Sequence, residues 1–290
     1  MIHRNRRLRK IAVGLLCLYL ALCVIMFSIQ NWMIFPGHAT QGQAQAIIHP
    51  SPAFELLHLK TADGDSIVAI FGVATDSRDQ PLTDSASQPT ILFFYGNAMC
   101  LADSFGQFQE FRRLGANLMI VEYPGYGMSD GKPSERSLYA AADAAYEHLM
   151  HRSDIDVRKI VVAGWSLGGA IAINLAAHHP VAGLATFSAF TNMPDMAHNL
   201  MPWLPTSLLV RARFDNEEKI KTIACPIFIA HGTHDTIVPF AMSRRLVAAA
   251  KGPVTSVEVD SDHNDIFDSG GEALDARFGQ FLRQIQQLAR

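Results

Sequence analysis

The sequence is poor in the features that mark specialised chains. Four cysteines in 290 residues are too few for a disulfide scaffold. Neither an H-E-x-x-H nor a CxxC spacing is present to seat a metal, and no cofactor is expected. There is no internal repeat and no low-complexity tract, which sets aside solenoids and disordered arrays. Charge is scarce as well: 18% of residues carry it, with 24 Lys+Arg against 27 Asp+Glu and a net charge of -3. That small number averages two unlike parts. Arg4, Arg6, Arg7, Arg9 and Lys10 give the first ten residues +5 without an acid, and the other 280 hold 19 basic and 27 acidic side chains, a net -8. An acidic body offers nothing to a phosphate backbone, so nucleic-acid binding is not expected.

Apolar residues, by contrast, make up 49% of the chain, enough for one large core and too many for a disordered protein. Ile11 to Ile29 carries no charge, and Trp32, Met33, Ile34 and Phe35 extend the run. Its nineteen positions cover about 29 Å as a helix, close to the ~30 Å of a bilayer's hydrocarbon core. Five cations precede the run and no Lys or Arg follows until Lys60. The positive-inside rule therefore places the N-terminus in the cytoplasm and the rest on the far side, periplasmic, lumenal or extracellular. Trp32 stands where an interfacial aromatic would stand. The competing reading is a cleaved signal peptide, whose apolar region is usually ~7–15 residues long; the small-x-small site Ala44-Gln45-Ala46 lies too far beyond the run. The expected organisation is a basic segment at 1–10, a membrane anchor at 11–35 and a tether at 36–53 without helical or strand period.

From residue 54 onward strands and helices alternate. Leu56–Lys60 and Ser66–Ala74 read as a hairpin around Asp63-Gly64. Thr90–Tyr95, Ala116–Tyr123, Lys159–Trp165, Gly183–Ser188, Pro226–His231 and Ser256–Val259 read as strands, several of them continuous apolar runs of the kind buried on both faces. Helices are expected over 103–114, 134–150, 168–178, 240–250 and 272–288. Strands separated by helices imply βαβ units and a doubly wound α/β domain spanning 54–290. The Met/Pro-rich stretch 189–222 interrupts the pattern as a short lid-like insertion.

Gly164-Trp165-Ser166-Leu167-Gly168 matches G-x-S-x-G between a strand-like IVVAG and a helix-like GGAIAINLAA. That strand–turn–helix setting suits a nucleophile elbow, where side chains at the glycines would collide with neighbouring elements. A serine nucleophile needs a base, and the base an orienting carboxylate. Asp235 follows the strand PIFIAH and His263 follows the strand SVEVD, so all three fall at the C-terminal ends of strands. Asp260, Asp262 and Asp265 flank His263 and could take the place of Asp235; His231 is read as packing at its strand end. At the end of ILFFY, the N–H groups of Asn97 and Leu167 suit an oxyanion hole. Tyr126 either roofs the pocket or packs beside it. Met193, Met196, Met201, Trp203, Leu204, Leu208 and Leu209 suit contact with acyl chains or simply cover the sheet. Cys100 and Cys225 fall on opposite rims of a parallel sheet, nearly 20 Å apart for a strand of five or six residues, so two free thiols are expected.

These landmarks, with TADGDSIVA, VEYPGYGMSDGKPSE and HGTHDTIVP, give a sequence that resembles the α/β-hydrolase superfamily, in particular its BEM46-like branch of membrane-anchored proteins. The resemblance implies an eight-stranded, mostly parallel sheet, a Ser166–Asp235–His263 triad and an oxyanion hole of Asn97 and Leu167. Two departures stand out. Tyr95 replaces the usual His before the oxyanion glycine, and Ser261-Asp262 replaces the Gly often found before the catalytic His. The expected activity is hydrolysis of a small-molecule or lipid-like ester or thioester through an acyl-serine. The alternatives are a serine peptidase or a catalytically silent binding protein on the same fold.

Overall fold

The computed structural model describes residues 2–288. Met1, the first position of the expected basic segment, and residues 289–290, the last two of the expected domain, lie outside the described residues. One eight-stranded sheet organises the chain: β1 (Glu55–Lys60), β2 (Ser66–Gly72), β3 (Thr90–Phe94), β4 (Asn117–Val121), β5 (Ile160–Trp165), β6 (Gly183–Phe187), β7 (Ile227–Gly232) and β8 (Val254–Val259). They lie in the order β1-β2-β4-β3-β5-β6-β7-β8. The hairpin β1–β2 and the pair β2–β4 are antiparallel, and every other neighbour is parallel. β3, β4, β6 and β7 are buried throughout, which is why their sequences are continuous apolar runs. β8 closes one edge and alternates in exposure, as an edge strand with one solvated face should.

Along the chain come α1 (Ile2–Ile34), α2 (Phe105–Arg113), α3 (Glu135–Met150), α4 (Leu167–His178), α5 (Met193–Leu200), α6 (Thr206–Leu209), α7 (Asn216–Ile220), α8 (Phe240–Ala249) and α9 (Ile266–Leu288). The first nine residues of α4, Leu167 to Leu175, are all buried, so GGAIAINLA has no polar face to present. α9 starts six residues earlier than its periodicity predicts, at Ile266, and bends at Gly271, where φ is 41°. Only the stretch after that bend shows a steady 3.6-residue period. α5, α6 and α7 occupy the stretch 189–222, the one expected as a lid-like insertion.

α1 is long and apolar enough to cross a membrane, with a mean hydropathy of 2.6 over its most apolar window. Residues 36–53, read as a tether, are seated on the domain. They form two short 3₁₀ turns, Pro36–Thr40 and Ala44–Ala46, with Ala46 and Ile48 buried. Gly42 N–H donates to Gly127 O at 2.9 Å, and Gln41 Nε2 to Ser129 O at 2.9 Å. Thr40 Oγ1 in turn accepts from Gly127 N–H at 3.0 Å. The absence of a sequence period reflects turns held by a neighbouring loop, which periodicity does not detect. All four cysteines are free.

Candidate active site

The loops following the parallel strands meet at one rim, and Ser166 stands at its centre between β5 and α4. Its φ of 54° and ψ of -115° lie in a region that costs a non-glycine residue about 1–3 kcal/mol. Ser166 N–H donates to Phe187 O of β6 at 2.8 Å, which fixes the turn against the neighbouring strand. The flanking glycines are required by close backbone approach. A Cβ on Gly164 would meet Gly168 O at 2.1 Å, and one on Gly168 would meet Phe94 O at 1.9 Å.

His263, in the loop after β8, and Asp235, in the loop after β7, come together. His263 Nδ1 donates to Asp235 Oδ2 at 2.7 Å, and the imidazole is 3% exposed, shielded beside the Trp165 ring 5.7 Å away. The second oxygen, Asp235 Oδ1, accepts from Ile237 N–H at 2.9 Å and Val238 N–H at 2.6 Å. Burial works against the charged carboxylate, yet hydrogen bonds from His231, His263 and Val238 N–H outweigh it and hold Asp235 well below the usual carboxylate range. The ionised Asp235 thus selects the His263 tautomer with hydrogen on Nδ1, leaving Nε2 available as a base. Among the described residues, no hydrogen bond joins His263 to Ser166; such contacts commonly tighten only when substrate binds.

Of the rival acids, Asp265 accepts from Ser269 Oγ at 3.0 Å through Oδ2, and the other two are engaged away from the imidazole. Asp262 Oδ1 accepts from Thr236 N–H at 2.7 Å and from its own neighbour's backbone, His263 N–H, at 2.7 Å. It therefore ties the two loops together without reaching the imidazole. Asp260 is exposed and pairs with His234 at 3.0 Å. His231 does pack at its strand end, as read from the sequence, with Nε2 2.9 Å from Val238 O. It also approaches Asp235 Oδ2 at 3.2 Å, a second support for the carboxylate; the i,i+4 spacing was its signal.

Asn97 and Leu167 line the same pocket as Ser166. Leu167 is the first residue of α4, where a helix has no internal acceptor for its N–H. The Asn97 side chain is held from both sides: Tyr126 OH donates to Oδ1 at 3.0 Å, and Nδ2 donates to Ile34 O at the end of α1. Of the two readings of Tyr126, packing beside the pocket is the one these contacts support. Tyr126 is fully buried against Gly37 and stands behind the turn that carries Asn97, outside the pocket lining. Trp203 also falls outside the lining and is half exposed. Met193, Met196, Met201, Leu204 and Leu209 do line the cavity, whose volume is about 220 Å³.

Sequence reading missed two parts. The first is the buried group beneath the turn that carries Asn97. Tyr95 OH donates to Glu122 Oε1, which also accepts from Leu101 N–H at 3.0 Å, and Tyr123 OH donates to Tyr95 O at 2.6 Å. The tyrosine that replaces histidine is thus built into a buried tyrosine–carboxylate cluster. Burial pushes Glu122 up to about 7, against the opposing pull of the hydrogen bonds from Tyr95 and Leu101. A carboxyl raised in the folded state keeps its proton where the unfolded chain has lost it, so folding weakens as pH rises from about 4.5 to about 7. The difference is worth about 3 kcal/mol. Thermal melts of the full chain are expected to fall over that range, and Glu122→Gln to flatten the fall; an unchanged slope in the variant would contradict the assignment.

The second missed part is α1. Met26, Gln30, Met33 and Ile34 form one wall of the cavity. Their i, i+4, i+7, i+8 spacing is one helical face, and the amide of Gln30 in an apolar run was the available signal.

Comparison with known proteins accords with this fold. A family model described as the alpha/beta hydrolase fold matches residues 89–219. The chain is 35% identical over 216 residues to the alpha/beta hydrolase domain-containing protein WAV2 of Arabidopsis thaliana, covering 68% of this chain and 70% of that one. The chain belongs to the α/β-hydrolase family. It is also 33% identical to the uncharacterized protein Rv2307c of Mycobacterium tuberculosis, over 94% of this chain and 92% of the relative. Among solved structures, an esterase of Pyrococcus furiosus aligns with a TM-score of 0.67 at 16% identity, over 83% of this chain and 97% of that one, a likeness of fold. Within this α/β-hydrolase, the Ser166 turn, the His263–Asp235 pair and the turn carrying Asn97 occupy one rim.

Proposed function

We propose that this α/β-hydrolase is a membrane-anchored serine hydrolase that cleaves a carboxylic ester or thioester. The observation that carries the reading is the Asp235–His263 hydrogen bond at the same rim as Ser166, whose strained turn faces an apolar cavity also lined by Asn97 and Leu167. In the forward step His263 Nε2 takes the Ser166 hydroxyl proton as Oγ bonds to the acyl carbon. The carbonyl electron pair moves onto oxygen, where the N–H groups of Asn97 and Leu167 receive it. Collapse breaks the bond to the alcohol or thiol, which leaves with the proton from His263. Water then repeats the sequence on the acyl-serine, releasing a carboxylic acid and restoring Ser166. Asp235 stays ionised and stabilises the imidazolium. An apolar cavity and an acidic body suit an acyl chain better than a polyanion.

The same reading takes residues 11–35 as the anchor, with the N-terminal cations in the cytoplasm and the catalytic domain, residues 54–290, across the membrane. PGYGMSDGKPSE supports placement in the BEM46-like branch: its loop receives the 36–53 segment, through Thr40 and Gly42 on Gly127. A fluorophosphonate reagent applied to the detergent-solubilised full chain is expected to label Ser166 and to fail on Ser166→Ala. Equal labelling of both forms would end the mechanism, and no labelling of either would favour a silent binding protein.

A further inference from the structure

α1 and the lid are joined along a considerable length. Tyr19 OH donates to Trp203 O at 3.1 Å. Eleven residues further along, Gln30 Nε2 donates to Leu209 O at 3.1 Å while Gln30 Oε1 accepts from Arg211 N–H at 2.7 Å. Those contacts are spread over about 16 Å of helix, roughly half of a ~30 Å hydrocarbon layer. A chain that ends its membrane helix at Ile34 and still touches Tyr19 through its lid therefore carries that lid down beside the helix.

The lid surface suits such a place. Between Met193 and Val210 there is no Lys or Arg and one carboxylate, Asp195, which is turned away to Arg245 at 2.7 Å. Leu200, Trp203 and Leu208 are 72%, 50% and 83% exposed, an uncovered apolar patch continuous with the exposed apolar side of α1. Met33, Leu200 and Ile237 both line the cavity and are themselves exposed, so its rim is apolar. One wall of the cavity is the anchor, one is the lid, and the floor carries Ser166.

Resting on the serine-hydrolase reading above, we infer that the lid is sunk with α1 into the far leaflet, and that the substrate is an acyl ester whose chain already lies in the bilayer. The chain enters sideways, between α1 and the lid, without crossing water. The Trp203 and Leu208 side chains are lipid contacts. The chemistry at Ser166 is unchanged; what the arrangement selects is where the acyl chain comes from.

The test uses the full chain in phosphatidylcholine vesicles with two substrates, p-nitrophenyl palmitate dissolved in the bilayer and p-nitrophenyl acetate in water. Leu208→Lys places a charge on the exposed lid outside the cavity lining. It is expected to lower palmitate hydrolysis at least about tenfold, the equivalent of about 1.4 kcal/mol, with acetate hydrolysis unchanged. A parallel measurement does not depend on catalysis. The fluorescence that disappears in Trp203→Phe is expected to be quenched by phosphatidylcholine brominated on its acyl chains and protected from iodide in water. Quenching by iodide alone, or equal loss on both substrates, would overturn the inference. Lipid quenching with neither substrate cleaved, and Ser166 unlabelled by fluorophosphonate, would instead sink the hydrolase reading, and the substrate half of the inference with it.

Discussion

Ser166→Ala is expected to lower kcat/KM for an activated ester by between about 10³ and 10⁶, while leaving the melting temperature nearly unchanged. The reason lies in the division of labour at the rim. The hydroxyl is the only group in the scheme that forms a bond to the substrate, so no neighbour can take over its role. His263→Ala is expected to cost a similar factor, and the double variant little more than either alone, since the two groups act as a unit. Residual hydrolysis above background would come from Asn97 and Leu167 N–H groups acting on bound ester. The stability expectation follows from the elbow. Ser166 holds a positive φ because Gly164, Gly168 and the strand β6 enclose it, and alanine needs no more space there. Steady-state kinetics with paired thermal melts check both parts. Activity retained within tenfold would remove Ser166 from the mechanism.

Gly168→Ala has the second large effect, this time through the backbone. The new Cβ would lie 1.9 Å from Phe94 O and 2.7 Å from Tyr95 O, where carbon–oxygen contact needs well over 3 Å. Main-chain atoms of a buried strand cannot rotate aside, so α4 and β3 must separate by more than an ångström. Overpacking of this kind costs about 3 kcal/mol or more. The same displacement moves Ser166 relative to the Tyr95–Asn97 turn, and a misplacement of ~1 Å can cost about 10² in rate. Gly106→Ala in α2 is the control, because a Cβ there meets nothing within 4 Å; it is expected to leave stability unchanged or raise it by about 0.5–1 kcal/mol. Calorimetry or denaturant melts of the two variants decide the matter, and comparable melts would show that the elbow has room.

Glu122 lies close to the candidate site and bears on stability. Its carboxyl is buried under the turn that carries Asn97, held by Tyr95 and Leu101. Burial pushes that carboxyl up to about 7, so the folded state loses stability as pH rises toward that value.

The sequence by itself determined the strands, most helices and the candidate chemical groups, because those signals are local. A buried strand advertises itself by a continuous apolar run such as ILFFY, and an elbow by two glycines around a serine. The placing of Asp235 and His263 after strands follows from the same alternation, since parallel strands must present their C-terminal ends at one rim. What only the tertiary structure decided was which distant segments meet. Asp262 and Asp235 stand equally close to a strand end in the sequence, and the hydrogen bonds of Thr236 separate them. Tyr126 and Trp203 carry the right chemistry for a pocket and face elsewhere, while Met26 and Gln30, which resemble any residues of an apolar helix, form its wall. Periodicity records which face of an element is buried, but not which element covers it. That choice is made by packing between residues as far apart as Tyr19 and Trp203, and here it makes the apolar helix α1 part of the candidate site.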